Sequence, residues 1–160
     1  MTRLHETVET SLPVDEAFAF VADFANAQHW DPGVATSERI GGGPVGVGAR
    51  YRLGVRMRGR VAPMEYRITT FEAPTRVVLT GEGSNVSAVD DIRFAPRADG
   101  TGTRIEYIAD IRLGGWMRLV EPFVGGAFRT LAQNAVNGIR RALDERAVAG
   151  TGAVTEAAAR

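Results

Sequence analysis

Residues 121–146 read "EPFVGGAFRTLAQNAVNGIRRALDER" and form the longest periodic segment of the sequence. Apolar residues recur there every three or four positions, which predicts one face of a long amphipathic helix. Pro122 breaks or kinks the beginning of this helix, and the arginines near residue 146 suit its negative C-terminal end. The predicted apolar stripe consists of Val120, Phe123, Val124, Ala127, Phe128, Leu131, Ala135, Ile139, Ala142 and Leu143.

The segment before this helix alternates between apolar and polar residues, which is typical of half-buried strands. Its connections are too short for crossover helices, so the strands predict an antiparallel meander. The strand-like runs are "VATSERI" at 34–40, "ARYRLGVRM" at 49–57, "RVAPMEYRITTF" at 60–71, "TRVVLTGEG" at 75–83, "VSAVDDIRF" at 86–94 and "TRIEYIADIRL" at 103–113.

Alternation also predicts which side chains face the core. In the run at 76–83 both faces are partly apolar, so its inward face stays open. The predicted inward residues are Tyr51, Leu53, Val55, Met64, Tyr66, Ile68, Ala88, Asp90, Ile92, Phe94, Ile105, Tyr107, Ala109 and Ile111.

The N-terminal part predicts one strand and two short helices. Residues 3–11 alternate with Leu4 and Val8 on one side, and "PVDEAFAFVAD" at 13–23 follows with helical periodicity. Asp23 suits the cap of a second helix that runs to about Trp30, where Asp-Pro-Gly at 31–33 stops it. The prediction is an α+β domain over residues 1–148 with a mobile tail over 149–160, where large apolar residues are missing.

Four parts of the chain carry family signatures: "VETSLPVDEAFAFVADFANAQHW" at 8–30, "RITTFEAPTRVVL" at 67–79, "RFAPRADGTGTRIEY" at 93–107 and the closing helix. Together they resemble the START/polyketide-cyclase-like (SRPBCC) superfamily, nearest its bacterial polyketide cyclase/dehydratase subgroup. The resemblance implies the helix-grip fold, a curved seven-stranded antiparallel sheet wrapped around a long C-terminal helix, with two short helices between strands 1 and 2. It also implies a mostly apolar cavity between the sheet and the long helix.

The composition excludes several classes of function. The 160 residues contain no cysteine and two histidines, so cysteine chemistry is absent and a multi-histidine metal site is not expected. All basic residues are arginines, which leaves no lysine for amine catalysis. The excess of Arg, Ala, Gly and Val indicates a GC-rich bacterial genome. The net charge is zero and no apolar stretch is long enough to span a membrane, so we expect a cytoplasmic protein without nucleic-acid partners or membrane insertion.

The candidate ligand site lies on the inward face and on the long helix. The predicted ligand-binding residues are Trp30, Tyr51, Met64, Tyr66, Asp90, Tyr107, Phe123, Gly126, Ala127, Thr130 and Asn134. We expect them to bound a pocket of roughly a few hundred Å3, the usual range for ligand sites. The glycine pair at 125–126 either leaves room for a ligand or allows close backbone packing.

Asp90 is the candidate catalytic residue, because an unpaired carboxyl facing the core would have a raised pKa. The alternative is a structural ion pair with an arginine. Asp91 should point to the opposite face, so the two aspartates are not an acid/base pair.

Three other features have ordinary interpretations. "GGGPVG" at 41–46 contains G-x-G-x-x-G but precedes a strand, so we expect no nucleotide and no other cofactor. The arginines at 50, 52, 56, 58 and 60 predict a solvated outer face with partners such as Glu65. Trp30 should face inward and its neighbour His29 outward.

These features favour a protein that binds a small hydrophobic ligand, such as a lipid or a polyketide. The alternative is a cyclase/dehydratase-type enzyme that uses the same cavity with Asp90, Tyr66 and Tyr107. A third hypothesis is a protein-interaction module that acts through the outer face of the sheet.

Overall fold

The computed structural model describes residues 1–57, 59–115, 119 and 121–158, and it describes no side chains for 121–125, 128 and 151–158. The helices are α1 (Val14–Ala22), a 3-10 turn (Phe24–Asn26), α2 (Ala27–Trp30) and α3 (Glu121–Ala158). The strands are β1 (Thr2–Thr10), β2 (Val34–Ile40), β3 (Arg50–Met57), β4 (Arg60–Glu72), β5 (Arg76–Glu82), β6 (Val86–Pro96) and β7 (Thr103–Leu113).

The seven strands form one antiparallel sheet in the order β1-β7-β6-β5-β4-β3-β2. The meander from β2 to β7 confirms the prediction from short connections. β1 completes the sheet by pairing with β7 along its whole length, from Thr2 opposite Ile111 to Thr10 opposite Thr103. The curved sheet and the long C-terminal helix make up the helix-grip fold.

The inward face follows the predicted alternation. All the predicted inward residues are buried or partly buried. The run at 76–83, which alternation left open, directs Val77 and Leu79 into the core. Val77 lies opposite Ile92 on β6, and Leu79 lies opposite Ile68 on β4, so neighbouring strands decide which of its two apolar faces is inward.

The short helices between β1 and β2 begin and end close to the predicted positions. The Asp23 carboxylate accepts a hydrogen bond from the backbone N–H of Ala25 at 3.2 Å, which caps the 3-10 turn. Trp30, the last residue of α2, is 2% exposed, whereas His29 is exposed. Both orientations confirm the predictions.

Among the described side chains, the predicted stripe on α3 is confirmed for the second half of the helix. The described buried side chains begin at Ala132, whereas Ala127 is exposed and Leu131 is 43% exposed. The buried set is Ala132, Ala135, Val136, Ile139, Ala142 and Leu143. Val120 and the side chains of Phe123, Val124 and Phe128 lie outside the described residues.

The second half of α3 is attached to the rest of the domain by polar and cationic contacts as well as by apolar packing. Thr10 of β1 donates a hydrogen bond to Asp144 at 2.8 Å, and the Arg146 guanidinium lies 3.8 Å from the ring centroid of Phe20 on α1. The helix continues to Ala158, beyond the predicted domain end at 148, so the mobile tail stays a prediction. No helix among the described residues is long and apolar enough to cross a membrane.

Gly138 allows the closest approach between α3 and α2. A Cβ at this position would overlap the carbonyl oxygen of Trp30 and lie 2.8 Å from its carbonyl carbon. Gly126, in contrast, is exposed and has no atom within 4 Å of a Cβ. Of these two helix glycines, Gly138 is therefore the one needed for packing, while Gly125 lies outside the residues whose surroundings are described.

We expect Gly138→Ala to lower the free energy of unfolding by about 1–3 kcal/mol, as overpacking a close contact does. Gly126→Ala is the matched control on the same helix and should raise it by up to about 1 kcal/mol, because alanine favours the helix. Urea unfolding of both variants measures the difference. Equal stability of the two variants would contradict the contact at Gly138.

Candidate functional site

A half-enclosed cavity of about 140 Å3 lies between the sheet and the middle of α3. Its volume is smaller than the pocket of a few hundred Å3 predicted from the sequence. The sheet lines it with apolar side chains that include Val55, Met64, Val86, Ala88, Ala109 and Ile111. The helix lines it with Leu131, Ala132 and Ala135. Five polar side chains complete the wall, and they are Asp31, Arg56, Tyr66, Asp90 and Tyr107.

Asp90 on β6 and Tyr107 on β7 form a hydrogen-bonded pair at the cavity wall. Asp90 lies opposite Ala109 in the sheet, which places Tyr107 diagonally across from it on the same face. The Tyr107 hydroxyl donates to Asp90 Oδ1 at 3.0 Å, and Asp90 is 3% exposed. The pKa of Asp90 is raised to about 7, chiefly by burial; the hydrogen bond from Tyr107 opposes the rise, and the nearby charge of Asp31 contributes to it.

A second carboxyl, Asp31, lines the cavity directly after α2. Its Oδ1 accepts a hydrogen bond from the backbone N–H of Gly33 at 2.7 Å. Burial raises the pKa of Asp31, and the Gly33 N–H and the charge of Arg56 act in the opposite direction. Arg56 is exposed, and its guanidinium donates to the carbonyl oxygens of Pro32 at 3.0 Å and Val34 at 2.8 Å.

The Tyr66 ring occupies space on the neighbouring strand that is free because residue 81 is glycine. The two residues are direct partners in the β4–β5 ladder, and a Cβ on Gly81 would lie 2.5 Å from two carbon atoms of the Tyr66 ring. Burial raises the pKa of Tyr66 well above its usual value, and the charges of Asp90 and Asp31 add to the rise. Burial and the charge of Asp90 raise the pKa of Tyr107 in the same way.

The predicted site residues fall into three groups. Met64, Tyr66, Asp90 and Tyr107 line the cavity as expected. Trp30 and Tyr51 are buried behind it, where both rings pack against Phe24 with centroid distances of 5.7 and 6.2 Å. The Trp30 ring also lies 6.4 Å from that of Tyr107, so it supports the wall and does not form it.

The described helix residues of the third group do not line the cavity. Gly126, Ala127, Thr130 and Asn134 are exposed, and Thr130 donates a hydrogen bond back to the Gly126 carbonyl of its own helix at 3.2 Å. Among the described side chains of α3, Leu131, Ala132 and Ala135 line the cavity instead. The side chain of Phe123 lies outside the described residues.

The sequence matches the family described as polyketide cyclase/dehydrase and lipid transport over residues 1–144. The chain belongs to this family. No curated protein matches the sequence significantly. The family match agrees with the resemblance seen in the N-terminal stretches and the closing helix.

Several solved structures of the same fold align with most of this chain. The Zhui aromatase/cyclase from Streptomyces sp. R1128 has a TM-score of 0.74 at 14% identity, covering 91% of this chain and 94% of that chain. A START superfamily protein from Mycobacterium smegmatis has a TM-score of 0.70 at 16% identity, covering 91% and 97%. A conserved protein from Geobacillus kaustophilus has a TM-score of 0.68 at 17% identity, covering 91% and 96%. At these identities the likeness shows the fold.

Two polar residues of the family member's cavity, Asp31 and Arg56, were missed from the sequence. Asp31 was interpreted only as part of the Asp-Pro-Gly helix stop, although it follows directly after the inward-facing Trp30. Arg56 was assigned to the solvated arginine face. That interpretation is correct for Arg50 and Arg52, which pair with Glu65 at 2.6 Å and Glu38 at 2.9 Å. Arg58 lies outside the described residues.

Asp91 lies on the outer face of the sheet, as predicted. It pairs there with Arg76 at 2.9 Å and Arg93 at 2.8 Å. Burial acts to raise the pKa of Asp91, but the hydrogen bonds from the two arginines outweigh it and lower the pKa. Two adjacent aspartates thus have pKa values displaced in opposite directions.

Asp90→Asn should make the protein more stable at about pH 8. Because folding raises the Asp90 pKa from 3.8 to about 7, stability falls as the pH rises through this range, and the loss is complete above it. A rise of this size corresponds to a loss of up to roughly 4 kcal/mol. The stability difference between Asp90→Asn and the wild type should shrink as the pH is lowered towards 4, which urea unfolding at several pH values measures.

Asp91→Asn is the matched control and should have the opposite sign. Its lowered pKa means that the charged form stabilises the fold above the usual pKa of 3.8. The variant should therefore be less stable than the wild type at about pH 8. If Asp90→Asn also lost stability there, Asp90 would have a favourable charged partner and its pKa would not be raised.

Proposed function

We propose that this family member binds one small apolar molecule in the cavity between the sheet and α3. The observation that carries the proposal is the composition of the wall, which is mostly apolar with Asp90 and Tyr107 together at one place. Ligand sites commonly combine an apolar lining with a few convergent polar groups that orient the ligand.

The volume supports a ligand with about one ring. An engineered apolar cavity of about 150 Å3 in another protein binds benzene, and the cavity here measures about 140 Å3. Because the cavity is half-enclosed, a longer ligand would place one ring inside and the remainder outside it.

Filling the cavity from the helix tests the proposal. Ala132 lines the cavity and is 6% exposed, so Ala132→Leu should occupy the space of the ligand. We expect the affinity for phenethyl alcohol, measured by calorimetry, to fall about tenfold or more, a loss of about 1.4 kcal/mol. The thermal midpoint should change little, because the added side chain enters existing space.

Ala127→Leu is the matched control, since Ala127 lies on the same helix and is exposed. It should bind the alcohol as the wild type does. Binding that is equally strong in Ala132→Leu would place the ligand elsewhere. A wild type that does not bind, together with an Ala132→Leu variant that is strongly destabilised, would mean that the interior is closed to ligands.

A second candidate function is enolisation of a bound ketone, and the Asp90–Tyr107 pair favours it. A carboxyl with a pKa of about 7 is suited to general acid–base chemistry at neutral pH. Asp90 would accept a proton from the carbon next to the carbonyl. The electron pair of the broken C–H bond would form the C=C bond of the enolate, and the π pair of the C=O bond would move to the oxygen. Returning the proton from Asp90 to the same carbon would regenerate the ketone.

Hydrogen exchange tests this activity without knowledge of the natural substrate. Cyclohexanone has one ring and exchangeable hydrogens next to its carbonyl. In D2O near neutral pH, the wild type should accelerate their exchange over buffer, as followed by NMR, because Asp90 is then partly ionised. Asp90→Asn should remove this acceleration and Ala127→Leu should retain it. Equal rates for the wild type and Asp90→Asn would exclude Asp90 as the base.

A further inference from the structure

We propose that the cavity is selective for ligands that carry a protonated amine beside one apolar ring, with the ammonium group donating to Asp90. This inference rests on the proposed binding function and adds the chemical class of the ligand. The argument starts from Asp90, whose carboxyl lies in the wall of the cavity and almost out of contact with water.

Asp90 has an incomplete set of partners. Its Oδ1 accepts the hydrogen bond from Tyr107, which is the one hydrogen bond to the Asp90 carboxyl from the described residues. A buried carboxylate is normally paired with a cation or held by several donors. No salt bridge to Asp90 exists in the described part of the chain. Because the described residues offer no cation to Asp90, we assign the compensation of its charge to a proton or a ligand cation.

The other charged groups around the cavity give it an acidic character. Asp31 approaches from the loop after α2, and its negative charge acts on Asp90. Arg56 on β3 is the one cation among the described side chains of the wall. It is exposed and its guanidinium is engaged by two backbone carbonyls beside Asp31.

The other described side chains of the wall contribute no charge at neutral pH. β1 contributes Leu4, and α3 contributes Leu131, Ala132 and Ala135 among its described side chains. The titratable groups on β4 and β7 are Tyr66 and Tyr107, whose pKa values are raised, so both stay neutral. An anionic ligand would therefore meet two carboxyls and one engaged arginine.

An ammonium group suits this wall in two ways. It is a compact donor that forms charge-assisted hydrogen bonds with a carboxylate, and these are stronger than bonds between neutral groups. It is also attracted to aromatic rings, and Tyr66 and Tyr107 line the same cavity. The cavity volume of about 140 Å3 leaves space for one ring beside the ammonium group.

Three ligands with the same phenyl ring test the selectivity. Phenethylamine is cationic, phenethyl alcohol is neutral and phenylacetate is anionic at about pH 8, and calorimetry measures the affinity of each. We expect the amine to bind at least about tenfold more tightly than the alcohol, because hydrogen bonds to charged groups are stronger than those between neutral groups. Phenylacetate should bind most weakly.

The outcomes separate this inference from the proposed function. If the alcohol or phenylacetate binds as tightly as the amine and Ala132→Leu weakens that binding, the cavity binds ligands but the selectivity for amines is wrong. If none of the three ligands binds, the proposed function fails and the inference fails with it.

Asp90→Asn should lower the affinity for the amine about tenfold or more and change that for the alcohol by less than about threefold. Its melting curve shows whether the variant is folded.

The pH dependence of amine binding to the wild-type protein is an independent test. Because the Asp90 pKa is about 7, amine affinity should rise between about pH 6 and pH 8, by up to about tenfold per pH unit below that pKa.

Over the same range the affinity for the alcohol should not rise, since a neutral ligand gains nothing from the ionised carboxylate. Amine affinity that is independent of pH, or unchanged in a folded Asp90→Asn variant, would overturn the assignment of the ammonium group to Asp90.

Discussion

The close contact between Gly138 of α3 and the backbone of Trp30 is the constraint on which the rest of the structure depends. It brings the second half of α3 against α2 and β1, where Ile139 and Leu143 are fully buried. The described side chains of the first half, before Ala132, are exposed. The cavity lies against the middle of the helix, where Leu131, Ala132 and Ala135 form part of its wall.

The sheet supplies the chemistry of this gap through its antiparallel register. Because Tyr107 is diagonal to Asp90, their hydrogen bond forms between two strands without any loop residue. The Phe24 ring packs against Tyr66, and the Trp30 ring packs against Tyr107. A buried carboxyl that lacks a cation reduces stability at neutral pH. Such a cost at a cavity wall is typical of a binding or catalytic position, where the missing partner is supplied by a ligand or a proton.

Predictions from the sequence were most accurate where local pattern and tertiary structure act together. Strand alternation correctly placed Tyr66, Asp90 and Tyr107 on the inward face, because a residue cannot change faces without shifting the register of its whole strand. The helical prediction was wrong at Ala127 and Thr130. An apolar stripe indicates which face of a helix is able to pack, but it does not show how far along the helix a partner exists.

The sequence by itself determined the order of elements, the antiparallel connections, the inward face of most strands and the direction of Trp30, since these follow from periodicity and turn residues within short segments. Only the tertiary structure decided the inward face of β5, the importance of Gly138 over Gly126 for packing, and the placement of Asp31 in the same cavity wall as Asp90. These depend on contacts between residues far apart in the chain. The distance between two such residues is set by how helices and sheet pack, and no local pattern encodes it.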